Sequence, residues 1–306
     1  APGLSDLLDG NGTREQALPA GSVIAVKPGD PAPVGYTLFQ RNEYNATLTW
    51  EEMAPVSVAR YAYDGGETLD GKIYFVGGYD GADKNIAERY DPATNQWETL
   101  NAMSVARAGL GAVIHNGKFY AIGGDGHTSV EIFDPATGQW SAGPALPSEV
   151  RYGTAITVDG KILLVGGRNS ADQELSQVLE LNPATNQWSQ KAPMPSASLG
   201  HKLVLFEGKI WAIGGWTSAP TNKVEIYDPS NDSWTAGPSL LSPRGWASAW
   251  VANGRIFVAG GYEPYLDSIE VYDPGTNQWS TAGTLPENKG VADSAVLGGK
   301  VYVVAG

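Results

Sequence analysis

Cysteine is missing from all 306 residues of the chain, which excludes disulfide staples and every thiolate ligand or nucleophile. Histidine is nearly missing too, with only His115, His127 and His201. No Ser-His-Asp spacing, phosphate-binding loop or metal-ligand cluster can be assembled from what remains, so neither a cofactor nor a metal is expected. Positive charge is also in short supply, with 20 Lys and Arg against 33 Asp and Glu and a net charge of −13. A surface of that sign repels a nucleic-acid backbone. No apolar run approaches the ~18 residues of a membrane-spanning helix. The acidic, cysteine-free composition favours an extracellular or cell-surface setting of a bacterial kind.

What the chain has in abundance is repetition. The stretch GKIYFVGG…RYDPATNQW (Gly71–Trp97) returns as GKFYAIGG…IFDPATGQW (Gly117–Trp140) and GKILLVGG…LELNPATNQW (Gly160–Trp188). It returns again as GKIWAIGG…VEIYDPSNDSW (Gly208–Trp234) and GRIFVAGG…VEVYDPGTNQW (Gly254–Trp279), and a partial copy, GKVYVVAG, ends at Gly306. The closing tryptophans, Trp50 to Trp279, stand 43 to 48 residues apart. A period of about 40–50 residues is that of a propeller blade built from four short strands.

Local chemistry agrees with four strands per repeat. Asp-Pro-Ala-Thr-Asn is a type I turn signature, with proline fixing φ at the second position. Asn116-Gly117, Asp159-Gly160 and Asn253-Gly254 mark tight hairpins between β-rich runs. The Gly-Gly pairs demand positive φ or a close backbone approach. A sheet with two apolar faces must stack on neighbours, and each repeated Trp would add up to roughly 4–6 kcal/mol if fully buried.

No Trp-Asp dipeptide occurs, so the WD40 pattern does not fit. Gly-Gly, then Tyr-Asp-Pro, then Trp resembles the kelch repeat over roughly residues 36–306. The resemblance implies an all-β, six-bladed kelch β-propeller. Five blades read continuously, and the sixth is expected from both termini. In that blade, A and B strands of Lys289–Gly306 meet N-terminal C and D strands around Tyr36–Phe39 and Trp50, so that Val301–Val304 lies beside Tyr36–Phe39. Residues 34–306 are then the propeller and residues 1–33 an extension or linker, in which Gly21–Val26 reads as an extra strand. A monomeric propeller is expected, alone or within a larger chain. With no adaptor domain beside the repeats, an intracellular ligase role is not expected.

In antiparallel A-B-C-D blades, the B–C and D–A connections share one face. The B–C connections vary freely in this sequence, and variable loops on a rigid scaffold are where binding residues gather. Just before each A strand stands a cation: Arg60, Arg107, Arg151, Arg244 and Lys289, with Ser198 as the exception. In the kelch-like adaptors that this pattern resembles, arginines at the matching position grip acidic peptides. Arg107 in RAGLG matches fully; the others match in part. An alternative reading makes this arginine a repeat fixture bonding nearby carbonyls. Tyr61, Tyr79, Tyr152, Trp216, Trp246, Tyr262 and Tyr265 add aromatic surface on the same face.

The leading expectation is therefore a non-catalytic recognition module. It would bind an acidic protein or peptide, or a glycan, around an arginine ring on the B–C/D–A face. Two alternatives stay open: a purely structural propeller, and a carbohydrate-active isomerase or lyase like the sialic-acid epimerases of kelch type. The enzyme reading would use Asp64 and Asp293, equivalent positions in neighbouring blades, where paired carboxylates could divide acid and base roles. Galactose-oxidase-like copper chemistry needs two His, two Tyr and a Cys crosslink, which this chain lacks.

Overall fold

The computed structural model describes residues 22–27, 35–41, 48–49, 52–61, 66–262, 265–289, 292–297 and 300–305. All regular elements among them are β-strands. Five four-stranded antiparallel sheets follow one another, here blades 1 to 5 with strands A to D. Blade 1 is Gly66–Leu69, Lys72–Val76, Ala87–Asp91 and Gln96–Thr99. Blade 2 is Gly111–His115, Lys118–Ile122, Val130–Asp134 and Gln139–Ala142. Blade 3 is Thr154–Val158, Lys161–Val165, Val178–Asn182 and Gln187–Lys191. Blade 4 is Lys202–Phe206, Lys209–Ile213, Val224–Asp228 and Ser233–Ala236. Blade 5 is Ser248–Ala252, Arg255–Ala259, Leu266–Asp273 and the long Gln278–Lys289. The expected hairpins hold, with Asn116, Asp159 and Asn253 all left-handed at φ of 47–50°.

The sixth blade does not form as expected, so the kelch propeller has five regular blades rather than six. Both termini do meet, but in a mixed six-stranded sheet. Ala292–Leu297 pairs with Lys300–Ala305, and Ser22–Lys27 then joins Lys300–Ala305 in parallel. Gly35–Arg41 pairs with Ser22–Lys27, and short strands Leu48–Thr49 and Glu52–Met53 pair with it in turn. Val301–Val303 is therefore separated from Tyr36–Phe39 by a whole strand. The physical reason is the segment SVIAVK, as β-prone as any B strand, which takes the edge that the C strand was expected to fill. Ala292–Leu297 still packs beside the A strands of blades 5 and 1 and so closes the ring.

Six hydrophobic clusters lie between adjacent sheets, not within them. Tyr74, Val76 and Ala87 of blade 1 pack on Ala112, Phe119 and Phe133 of blade 2, and the other junctions repeat the scheme. The closing Trp of each blade packs on its own strand C, against an aromatic residue in blades 1, 2, 4 and 5 (centroid distances of 5.3 Å for Tyr90–Trp97 and 5.1 Å for Tyr227–Trp234) and opposite Leu181 in blade 3. Its Nε1–H donates backwards to the preceding connection: Trp97 to Ala54 O, Trp140 to Asn101 O, Trp188 to Pro144 O, Trp234 to Ala192 O and Trp279 to Pro238 O. Only Trp279 is fully buried. The others are half-buried, so each acts as a hydrogen-bonded clasp worth less than full burial would give.

Candidate functional site

The two connections expected to share a face do so, and backbone bridges tie them together. Tyr61 pairs with Tyr79, Arg151 with Arg168, Leu199 with Trp216 and Gly245 with Tyr262, each joining a D–A to a B–C connection. The Gly-Gly pair ending strand B makes this approach possible. Gly77 and Gly78 have φ of 67° and 108°, and a Cβ on Gly78 would stand 2.6 Å from Tyr61 O.

The five-cation ring is not what this face presents. Arg60, Arg107 and Arg244 are 5%, 0% and 1% exposed, so three of the expected ligand-binding arginines lie inside their own blades. Arg107 donates through Nη1 to Gly123 O and Ser129 O, both at 2.8 Å, and through Nη2 to Glu131 Oε1 at 2.9 Å. Arg244 repeats this on Gly260 O, Ser268 O and Glu270 Oε1 at 2.6, 3.0 and 2.7 Å. Arg60 reaches Glu88 Oε2 at 2.6 Å and the carbonyls of Gly77 and Phe75. The three glutamates in turn accept backbone N–H groups from the D–A connection: Ser57, then Ser104 and Val105, then Leu241 and Ser242. Burial pulls the Arg107 and Arg244 guanidinium groups below their ordinary value, with the glutamates pushing back. These pairs pin the entry of strand A to strand C, the fixture reading of the repeat.

The glutamate was the missing half of the sequence pattern. It stands second in strand C of AERYD, VEIFD, VEIYD and IEVYD, but VLELN of blade 3 has Leu179 there. In blade 3 the buried Val150 fills the place of the inward arginine. Its C=O accepts the Gly124 N–H, as Arg107 O accepts that of Gly78 and Arg244 O that of Gly215. Arg151 stands one residue later, on the outward-facing bridge to Arg168. Its Nη1 bonds Asp125 Oδ1 of blade 2 at 2.8 Å, its Nη2 pairs with Asp172, and its guanidinium lies 5.6 Å from the Tyr152 ring centroid. Arg168 beside it pairs with Glu174 at 3.0 Å.

Next to Arg151, aromatic rings from three blades meet. Tyr152 lies 6.4 Å from Trp246, Trp246 5.5 Å from Trp216 and 5.7 Å from Tyr262, and Tyr262 5.2 Å from Tyr265. Tyr265 is 56% exposed, and the other four rings are half-buried. Tyr152 and Trp246 are left-handed, at φ of 57° and 49°, a strained state for bulky residues. Each is held there by its N–H, which donates to Gly109 O at 2.6 Å and Gly200 O at 2.7 Å respectively. Tyr61 and Tyr79, both exposed, form a separate pair over blade 1.

Asp293 faces the axis but is held by three donors: Gly66 N at 2.7 Å, Ser294 N at 2.8 Å and Lys202 Nζ at 3.0 Å. The Lys202–Asp293 pair joins strand A of blade 4 to the closing sheet past blade 5, with both side chains under 10% exposed. Asp64 lies outside the described residues, as does the side chain of Lys289, whose backbone ends strand D of blade 5. Among the described residues, no three His, Asp or Glu side chains converge in a way that could hold a metal. No helix there is long and apolar enough to cross a membrane.

Comparison with known proteins agrees with this architecture. An F-box/kelch-repeat protein of Arabidopsis thaliana is 38% identical over 85 residues, covering 27% of this chain and 22% of the relative. Human Kelch-like protein 28 is 33% identical over 93 residues, covering 27% of this chain and 16% of that protein. The chain thus spans about a fifth of the length of these relatives. The solved structure of YjhT superposes with a TM-score of 0.64 over 87% of this chain and 98% of its own, at 17% identity, a likeness of fold alone. Kelch-repeat domains and Kelch-like proteins are in general non-enzymatic protein-interaction modules. The Kelch motif pattern matches residues 65–104, and the KLHDC2/KLHL20/DRC7 Kelch-repeats domain pattern matches residues 109–306. That second match takes in well over half of the chain, which belongs to the kelch-repeat family.

Proposed function

We propose that this propeller is a non-catalytic recognition module that binds a peptide segment of a partner protein across the faces of blades 3 to 5. The observation that carries this reading is the aromatic surface of Tyr152, Trp216, Trp246, Tyr262 and Tyr265, gathered beside the outward-facing Arg151. Aromatic residues and arginine are the side chains that anchor interfaces, since they offer large area at low entropic cost. An acidic residue of the peptide would exchange with Asp172, whose side chain is 69% exposed, and keep Arg151 paired. Strain at Tyr152 and Trp246 presents both rings without reorganisation on binding.

The test is a peptide array run beside a glycan array, with wild type, Trp246→Ala and Arg151→Ala. Peptide hits that weaken at least tenfold in both variants support the reading. Hits confined to glycans, or peptide hits unchanged by either substitution, refute it.

A further inference from the structure

Blade 3 lacks both members of the arginine–glutamate pair, with Val150 and Leu179 in their places, whereas blade 4 lacks only one. It keeps the carboxylate, Glu225, but has Ser198 where Arg60, Arg107 and Arg244 stand. The rest of the arginine socket remains. Gly214 and Lys223 correspond to Gly123 and Ser129 in blade 2 and to Gly260 and Ser268 in blade 5, as their shared N–H to carbonyl bonds show. In those blades the two carbonyls accept from guanidinium Nη1. In blade 4 the same two residues line a cavity together with Ser198, His201 and Glu225, in which a water-sized group has about 10 Å³ of free movement.

Two further features distinguish this socket. Pro195 takes the place of Ser104, so one of the two backbone N–H groups that meet Glu131 in blade 2 has no counterpart for Glu225. The half-buried Glu225 carboxylate, unlike its backbone in the strand ladder, has no hydrogen-bond or ion-pair partner among the described residues. Lys223 does not supply one, because its Nζ donates to Ser196 Oγ at 2.9 Å. His201 lies against the socket, 2% exposed, with both ring nitrogens unpartnered. A neutral imidazole there offers one more acceptor to an incoming N–H.

We propose that blade 4 is an acceptor site for a guanidinium group brought from outside the chain, carried as an arginine side chain of the bound partner. The chemistry is set by the neighbouring blades. A carboxylate and two carbonyls arranged for Nη1 and Nη2 suit a planar fork of N–H donors better than a compact ammonium ion. The socket opens on the B–C/D–A side, where Lys223 is exposed and Ser196, Thr217 and Thr221 are half-buried. Trp216 of the aromatic surface is the neighbour of Thr217, so a peptide lying there is within side-chain reach. The guanidinium site stands on its own geometry; only the partner arginine as carrier rests on the functional reading above.

The experiment uses guanidinium chloride at 0–20 mM against sodium chloride at matched ionic strength, reading the melting temperature of the intact chain. Wild type should gain about 2 °C at ten times the dissociation constant, and the gain should go on rising with the logarithm of the guanidinium concentration. Ser198→Arg should melt higher without ligand and lose the response; Glu225→Gln should lose the response while remaining folded, which covers the case in which Ser198→Arg does not fold. No gain in wild type over matched sodium chloride, or an equal gain in Glu225→Gln, overturns the site. A second arm replaces guanidinium with N-acetyl-arginine methylamide and its citrulline counterpart. Stabilisation by the arginine compound alone supports a side-chain carrier; stabilisation by free guanidinium but by neither amide overturns the carrier and leaves a small-cation site. Because free guanidinium needs no partner, failure here is distinguishable from failure of the peptide reading.

Discussion

The indole of Trp246 lies so close against Gly200 that a Cβ on residue 200 would stand 2.6 Å from Trp246 Cε2 and 2.7 Å from Nε1. Gly200 has φ of +60° and accepts the Trp246 N–H, so one glycine of blade 4 seats the central ring of blade 5. Gly109 does the same for Tyr152, one pair of blades earlier. The mouth therefore alternates glycine and aromatic residue from blade 2 to blade 5.

Gly200→Ala should lose about 1–3 kcal/mol of stability, from left-handed strain and displacement of the indole. It should also shift the tryptophan emission and weaken peptide binding. Chemical denaturation and fluorescence check this, and an unchanged spectrum would mean that the ring does not depend on its glycine seat.

Glu131→Gln leaves Arg107 charged and buried without its counterion. A loss of about 3–5 kcal/mol is expected, against nearly none for a double replacement of Arg107 and Glu131 by apolar residues of similar size. Urea denaturation of the two variants separates a specific ion pair from mere packing.

Much of this was legible in the sequence, for physical reasons. The Gly-Gly pairs and the Asn-Gly and Asp-Gly turns fix backbone sign and reach locally, so the blade strands and the loop face could be placed within a residue or two. The fate of the arginines could be read only by aligning the repeats on the hairpin that follows strand A. Arg107 and Arg244 then fall in one place, each with a glutamate (Glu131, Glu270) in strand C. In blade 3 that place is Val150, strand C carries Leu179, and Arg151 stands one residue later, outside the socket. Blade closure failed for a different reason. SVIAVK carries no repeat signature, yet any β-prone segment can bond an open strand edge, and the sequence does not rank its parallel pairing against the antiparallel alternative.

Trp188→Phe keeps an aromatic ring but removes the donor to Pro144 O. A cost of about 1 kcal/mol is expected for the lost hydrogen bond, with a larger cost for Trp188→Ala. Equal losses in both would mean that the indole N–H contributes nothing.

Burial, assisted by the charge of Lys202, holds His201 down at about 4 against an ordinary value of 6.5. The folded state thus favours the neutral ring. Its contribution is full above pH 6.5 and is lost as the pH falls towards 4, because the unfolded chain takes up the proton first. The difference amounts to about 3 kcal/mol. His201→Leu, with the side chain that Leu110 provides at the matching place in blade 2, should flatten the fall in stability between pH 6.5 and 4.5. His115, also lowered by burial, is common to both proteins and so drops out of the comparison.

The division of labour between inward and outward arginines is tested most directly by measuring melting temperature and peptide affinity together for Arg107→Ala and Arg151→Ala. The expected result is a double dissociation. Arg107→Ala should lower the melting temperature by about 5–7 °C with affinity little changed below the transition, and Arg151→Ala should weaken binding at least tenfold with stability within about 1 kcal/mol of wild type. Equal effects on both quantities, or binding lost through Arg107 and kept without Arg151, would contradict it.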